Sequence, residues 1–285
     1  MYTIPVRIGI GITTRKRPEV LETALAHFTA FPTPNSKIVI VEDDPDADPA
    51  TGLVVANFRE ANPDVEVIFR KSTVRLGIAR AKNACLAVLQ ECDHVFLFDD
   101  DTWPKADNWA ERWIEINQAN GVGHSMWNVF VRKSGDTPEQ IRASIEPIQE
   151  WVITTINEEN DNQMVAWQNC LGVVLYFSRA CLDAIGGYDS SAANVYGYEH
   201  AQVSHRASDA GFCLGYPYIS PAIGDKLIYS FDISYRWMGE EAPLNVPWKN
   251  KFRSSVSDSE AAGHVNNAVL MSKRPVHIPL VDPLS

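Results

Sequence analysis

The chain contains no run of about 18 or more apolar residues, which excludes a membrane-spanning helix on length. Its opening, Met1-Tyr2-Thr3-Ile4-Pro5-Val6-Arg7, lacks the basic stretch and long apolar core of a secretory signal. Cysteine is scarce. The five (Cys85, Cys92, Cys170, Cys181, Cys213) are odd in number and form no CxxC pair, which disfavours a disulfide frame or a zinc site and suits reduced thiols in a cytoplasm, the expected location. Positive charge is also in deficit: 25 Lys and Arg stand against 36 Asp and Glu, a net charge of −11. That balance argues against a nucleic-acid partner held through its phosphates. Internal repeats and low-complexity tracts are absent. What remains is an ordinary globular composition, 45% hydrophobic over 285 residues, enough for a full core.

The first hundred residues alternate apolar runs with amphipathic stretches. Val6–Ile12, Lys37–Val41, Val65–Phe69 and His94–Phe98 read as strands. Between them, Pro18 opens a helix carrying Val20, Leu21, Ala24, Leu25 and Phe28 on one stripe, a second helix covers about 49–61, and Ile78, Ala81, Cys85, Val88 and Leu89 mark a third. Strands separated by such helices imply an α/β fold with a parallel sheet and right-handed crossovers. Ligands in these sheets bind beyond the carboxyl ends of the strands. Thr13-Thr14-Arg15, Glu42-Asp43-Asp44 and Asp99-Asp100-Asp101 all lie just past strand ends, so one crevice should receive all three. In the second half a helix carries Trp109 and Trp113 as packing residues, Gly121–Val131 returns to the sheet, Trp167–Phe177 is a strand, and Tyr198–Gly211 a helix. Residues 132–165 read as an insertion, and the chain from about Trp237 onward as a loop-rich tail.

In an extended chain Asp99 and Asp101 point to one face, roughly 6–7 Å apart. Two hard carboxylates so placed suit Mg²⁺ or Mn²⁺, with the remaining positions left to water and diphosphate oxygens. Taken alone, an acidic triplet after a strand is more often a solvated turn; the strand before it and the other strand-end motifs turn the balance toward a metal site. Acidic groups at Glu42-Asp43-Asp44 suit ribose hydroxyls or a base N–H, and equally a proline-rich turn. Arg75-Leu76-Gly77-Ile78-Ala79-Arg80-Ala81-Lys82-Asn83 opens a helix, where cations and backbone N–H groups meet a diphosphate, or merely form a solvated face.

Together these segments resemble the family 2 glycosyltransferases. The order Thr13-x-Arg15-x-x-Pro18, Val41-Glu42-Asp43-Asp44, Arg75-Leu76-Gly77…Lys82-Asn83, Asp99-Asp100-Asp101, Gly186-Gly187-Tyr188-Asp189 and Tyr196-Gly197-Tyr198-Glu199-His200 follows that family's TxxRP-like opening, VDD turn, NxGxxxARN helix, DXD-type site and GWED-like sequence over about residues 5–210. The resemblance implies a single GT-A domain with a mostly parallel central sheet flanked by helices over 1–236: about 1–105 would hold the nucleotide-sugar and 106–236 the acceptor, with 237–285 a C-terminal segment and possible lid. It further implies a metal-dependent transfer from a nucleotide-diphosphate sugar, UDP by default, to a hydroxyl on a glycan, protein or small molecule, with Mn²⁺ or Mg²⁺ as cofactor. By position, Thr13, Arg15, Asp43 and Asp44 would hold the nucleoside and Arg75, Lys82 and Asn83 the diphosphate. Asp99 and Asp100 would sit beside the donor, Asp99 and Asp101 would bind the metal, and Glu199 would contact the acceptor.

Two positions depart from the pattern. Arg75 stands for the usual Asn. His200 stands where inverting relatives commonly place the aspartate that removes the acceptor proton. A neutral histidine serves as such a base if a helix N-terminus and the neighbouring Glu199 balance near neutrality. Alternatively His200 lines the acceptor pocket of a retaining enzyme, or only caps a helix. His264 in the tail is a further candidate metal ligand, and Trp167 and Tyr198 are candidate sugar-stacking residues. Two rival functions stay open: a degenerate nucleotide- or glycan-binding protein, motivated by His200, and a sugar nucleotidyltransferase, which would favour a glycine-rich opening loop that Gly11-Ile12-Thr13-Thr14-Arg15 lacks.

Overall fold

A computed structural model describes residues 6–46, 49–127, 152–155, 164–167, 173–190, 198–213, 216–230 and 276–285. The first half follows the expected alternation: β1 (Ile8–Thr14), α1 (Pro18–Ala30), β2 (Ser36–Glu42), α2 (Pro49–Ala61), β3 (Glu66–Lys71), α3 (Ile78–Val88) and β4 (His94–Asp99). Then follow β5 (Thr102–Pro104), α4 (Trp109–Ala119), β6 (His124–Trp127), β7 (Val152–Thr155), β8 (Met164–Trp167), β9 (Val174–Ser178), α5 (Arg179–Ile185), α6 (Tyr198–Asp209), β10 (Tyr216–Ile219), α7 (Pro221–Leu227) and β11 (Ile228–Ser230).

Nine strands form one sheet in the order β3-β2-β1-β4-β9-β6-β10-β8-β7. β1 pairs in parallel with both β2 and β4, and β2 with β3. β9 runs against β4 and β6, and β8 against β10 and β7, so seven of the nine strands share one direction. The stretch expected as one strand over Trp167–Phe177 is two strands that are not neighbours in the sheet: β8 ends at Trp167 and β9 begins at Val174.

The alternation within β1 explains how helices cover both faces. Ile8, Ile10 and Ile12 point to the face where α1 supplies Leu21, Ala24, Leu25 and Phe28, and α4 supplies Trp109 and Trp113. Strand side chains alternate in direction, so Gly9 and Gly11 face the other way. There α3 lies so close that a Cβ on Gly11 would come within 2.7 Å of Cys85 Cβ and Leu97 Cδ2. That second face is filled by Val39, Val41, Val95, Leu97, Leu175 and Phe177 with apolar residues of α3, α5 and α6. Trp109 and Trp113 are fully buried and serve packing, as their spacing implied.

Residues 276–285 dock on this second face. Ile278 bridges Gly186, with Gly187 N donating to Ile278 O at 2.8 Å and Ile278 N to Ile185 O at 2.9 Å. Arg70 holds Asp282 at 2.9 Å, and Leu280 and Leu284 pack on the core. This end of the tail is therefore built into the body of the fold. The insertion expected over 132–165 lies outside the described residues apart from β7 and the start of β8, and residues 231–275, with His264, lie wholly outside them.

A candidate donor site at the strand ends

The sheet register brings the three strand-end motifs together. Thr13 aligns with Val41 of β2 on one side and Asp99 of β4 on the other, and Thr14 aligns with Glu42. β4 stops at Asp99, and Asp100 and Asp101 form a turn. The extended geometry expected for the triplet therefore does not hold beyond Asp99, because β5 begins at Thr102 and pairs with β11 in a separate two-stranded sheet. Ser230 of β11 reaches the Asp101 carbonyl at 3.5 Å, and its hydroxyl accepts from Thr102 Oγ1 at 2.9 Å.

Each aspartate has its own partner. Asp100 is fully buried and accepts from Thr14 Oγ1 at 2.6 Å and from Arg17 Nε at 3.1 Å, with a second Arg17 prong on its other oxygen. Arg17 Nη1 also donates to Asp101 Oδ2 at 3.2 Å. Asp99, about a third exposed, pairs with Lys82 Nζ at 3.2 Å. Burial pushes the Asp100 and Asp101 carboxyls upward, and Arg17 opposes it. Burial works against the Arg17 charge as well, but Asp100, Asp101 and Asp99 together hold its pKa above the usual value. Arg17 carries no expected role, and Thr14 only a place in the Thr13-Thr14-Arg15 strand-end motif, although both lie inside the Thr13…Pro18 segment. Their role becomes visible only once β1 and β4 are neighbours.

At the end of β2 the two acids differ. Asp43 Oδ1 accepts from the backbone N–H groups of Leu76 (2.6 Å) and Gly77 (2.9 Å), so its carboxylate anchors the start of α3. Burial raises its pKa, the two N–H bonds lower it, and Arg15 and the exposed Arg75 add a smaller pull toward the ionised form. Asp44 pairs with Arg15 Nε at 3.1 Å and Lys16 Nζ at 3.0 Å. Those bonds outweigh its burial and lower its pKa. Asn83, expected near the diphosphate, is spent elsewhere: Nδ2 donates to Tyr188 O at 2.9 Å and Oδ1 accepts from Tyr188 N at 2.7 Å, which fixes the Gly186-Gly187-Tyr188 turn.

From the other half of the sheet, α6 brings Glu199 and His200 in its first turn. Lys82 Nζ lies 2.6 Å from His200 Nε2, and Glu199 Oε1 is 3.5 Å from the same nitrogen. The expected balance near neutrality is not found. Burial first, then the Lys82 charge and the neighbouring His124, take the His200 pKa well below its ordinary value, leaving a neutral imidazole. Tyr198 opens α6 and Trp167 closes β8.

A mostly parallel sheet with helices on both faces, and carboxylates and cations gathered beyond the ends of β1, β2 and β4, define a GT-A type fold. The chain belongs to glycosyl transferase family 2, whose pattern matches residues 10–181, and is a glycosyltransferase. Its fold is similar to the mannosyltransferase PcManGT from Pyrobaculum calidifontis, solved in complex with GDP-Man and Mn²⁺: 16% identity, TM-score 0.61, covering 99% of this chain and 68% of that one. It is also similar to S. aureus TarS 1–349 in complex with UDP, at 12% identity and a TM-score of 0.51, covering 77% of this chain and 62% of that one. The match thus spans less than two thirds of the TarS chain. No curated protein matches the chain by sequence. Among the described residues no helix is long and apolar enough to cross a membrane.

Proposed function

We propose that this glycosyltransferase binds a nucleoside-diphosphate sugar together with a divalent cation in the crevice beyond β1, β2 and β4, and transfers the sugar to a hydroxyl on a glycan, protein or small molecule. The observation that carries the reading is the meeting of Asp99 and Asp101 with Lys82 and Arg17 at the strand ends. Among the described residues no group of three or more His, Cys, Asp or Glu side chains could hold a metal unaided. Mg²⁺ is ordinarily held by one or two carboxylates plus substrate phosphates, so Asp99 and Asp101 would need phosphate oxygens of the nucleotide to complete the shell. Asp99 and Asp101, both hard oxygen donors, would hold Mn²⁺ or Mg²⁺. The ion would neutralise charge on the departing diphosphate.

Around it, Lys82, Arg15 and Arg75 supply positive charge to the diphosphate side, while Thr13, Asp44 and the Asp43 segment border the nucleoside. Asp100 keeps the turn in place through Thr14 and Arg17 rather than touching donor. Asn83 is left out of the ligand set because Tyr188 engages both ends of its amide. His200, neutral and therefore holding a lone pair, takes the acceptor proton in a direct displacement, and Glu199 orients the acceptor. UDP is the first donor base to try. GDP is the second, because the PcManGT structure carries GDP-Man.

Calorimetry of UDP and GDP, each with and without Mn²⁺, tests this on the wild-type chain and on Asp101→Ala. One nucleotide should bind more tightly with Mn²⁺, and the substitution should remove that gain, about tenfold or more. Equal affinity with and without the ion in both proteins would overturn the metal site, and no binding of either nucleotide would overturn the donor reading.

A further inference from the structure

Lys82 lies against the His200 nitrogen that the reading above assigns to the acceptor hydroxyl. Its side chain has no solvent exposure, and Nζ lies 2.6 Å from His200 Nε2 and 3.2 Å from Asp99 Oδ1. A protonated lysine offers three protons and no lone pair, so Lys82 donates and Nε2 accepts, with Glu199 Oε1 standing 3.5 Å from the same nitrogen. The imidazole proton then sits on Nδ1. One buried cation on α3 thereby joins a carboxylate of the donor side to a histidine of α6, 118 residues away in the chain.

We propose that Lys82 is a positioning residue which fixes His200 in the Nδ1–H tautomer and covers its Nε2 lone pair until the donor diphosphate draws the ammonium away. The inference rests on the donor site proposed above. Nε2 has a single lone pair and accepts from Lys82 or from an acceptor hydroxyl, not from both. Lys82 already shares its protons with Asp99, so a diphosphate arriving beside Asp99 competes for the same ammonium at close range. Once Nζ turns to the phosphate oxygens, the acceptor O–H takes its place at Nε2. The acceptor oxygen then bonds to the anomeric carbon as the carbon–oxygen bond to the diphosphate breaks. The hydroxyl proton passes to Nε2, and the nucleoside diphosphate leaves with the bonding pair. Without donor the base is masked; with it, the base is open. The arrangement belongs to this chain's pairing of lysine with histidine, because a carboxylate at position 200 would have several lone pairs and would not be blocked by one ammonium.

The test is long-range ¹H–¹⁵N NMR on the full chain with ¹⁵N-labelled histidine, the His200 signals assigned from His200→Gln. In the free protein Nε2 should be unprotonated and hydrogen-bonded, with the proton on Nδ1. UDP or GDP with Mg²⁺ should move Nε2 downfield, toward an unbonded lone pair. In Lys82→Met the nitrogen should already be downfield without nucleotide and should barely respond to it. A protonated Nε2 in the free wild-type chain overturns the proposal with no variant needed. An Nε2 signal that stays fixed while calorimetry shows nucleotide bound overturns the role of Lys82 and leaves the donor site standing. Absence of nucleotide binding overturns both.

Discussion

Arg17 and Asp100, 83 residues apart in sequence, form a two-pronged ion pair at the mouth of the sheet, with Nε to Oδ2 at 3.1 Å and Nη2 closing on Oδ1. The Asp100 side chain has no exposure and the Arg17 side chain 21%. Removing one partner of a buried pair leaves a stranded charge, which costs far more than the pair contributes. Arg17→Met should therefore lower unfolding free energy by about 3–5 kcal/mol in urea titrations. Adding Asp100→Asn should recover part of the loss. A loss below about 1 kcal/mol would mean that Asp100 is already protonated or solvated.

Asn83 separates structure from ligand binding. Its amide meets the Tyr188 backbone at both ends, so Asn83→Ala should cost about 1–3 kcal/mol of stability. Nucleotide affinity, measured by calorimetry on the folded variant, should stay within a few-fold of wild type. Loss of affinity at unchanged stability would return Asn83 to the diphosphate site.

His124 should make the protein acid-sensitive. Fully buried between the Tyr176 carbonyl (2.8 Å) and Ser204 Oγ (2.7 Å), it has its pKa pushed by burial down to about 4 from 6.5. The unfolded chain then binds the proton more readily. The stabilisation is complete above pH 6.5 and is lost as the pH falls toward 4, about 3 kcal/mol over that window. His200, shifted the same way, adds to the slope. Urea midpoints across pH 4–7 should fall with acid and do so less steeply in His124→Asn. Equal slopes in the two proteins would remove His124 as the cause.

The sheet's first half was legible because parallel strands buried on both faces read as unbroken apolar runs, and the helices between them keep a 3.6-residue stripe. The strand-end rule then located the crevice. Less of the site itself was legible. Arg17 and Thr14 owe their roles to β1 lying beside β4, a pairing across 86 residues that no local pattern reports. The end of β4 at Asp99 depends on β5 leaving for a partner more than a hundred residues later. The low basicity of His200 follows from burial beside Lys82, whereas the sequence displays only its neighbour Glu199. The docking of 276–285 rests on single contacts rather than on periodicity.

Gly186 offers a test of that docking. Its φ of +70° suits glycine, and a Cβ there would fall 1.8 Å from Ile278 O. Gly186→Ala should displace residues 276–285, lower stability by about 1–3 kcal/mol, and speed proteolytic cutting near Ile278. Unchanged cutting with the variant folded would show that the segment is not held there.

The same docking sets an order of events on the ribosome. Leu280 and Leu284 join a core whose other buried members run from Val39 of β2 to Tyr218 of β10, so all of them are synthesised first. During translation those elements can pair and twist, yet the flank that α3, α5 and the Gly186-Gly187 turn present to Leu280 stays wet until that residue has emerged. A nascent chain of this protein therefore carries an apolar seam at this place until residues 276–285 return to elements that were made before them.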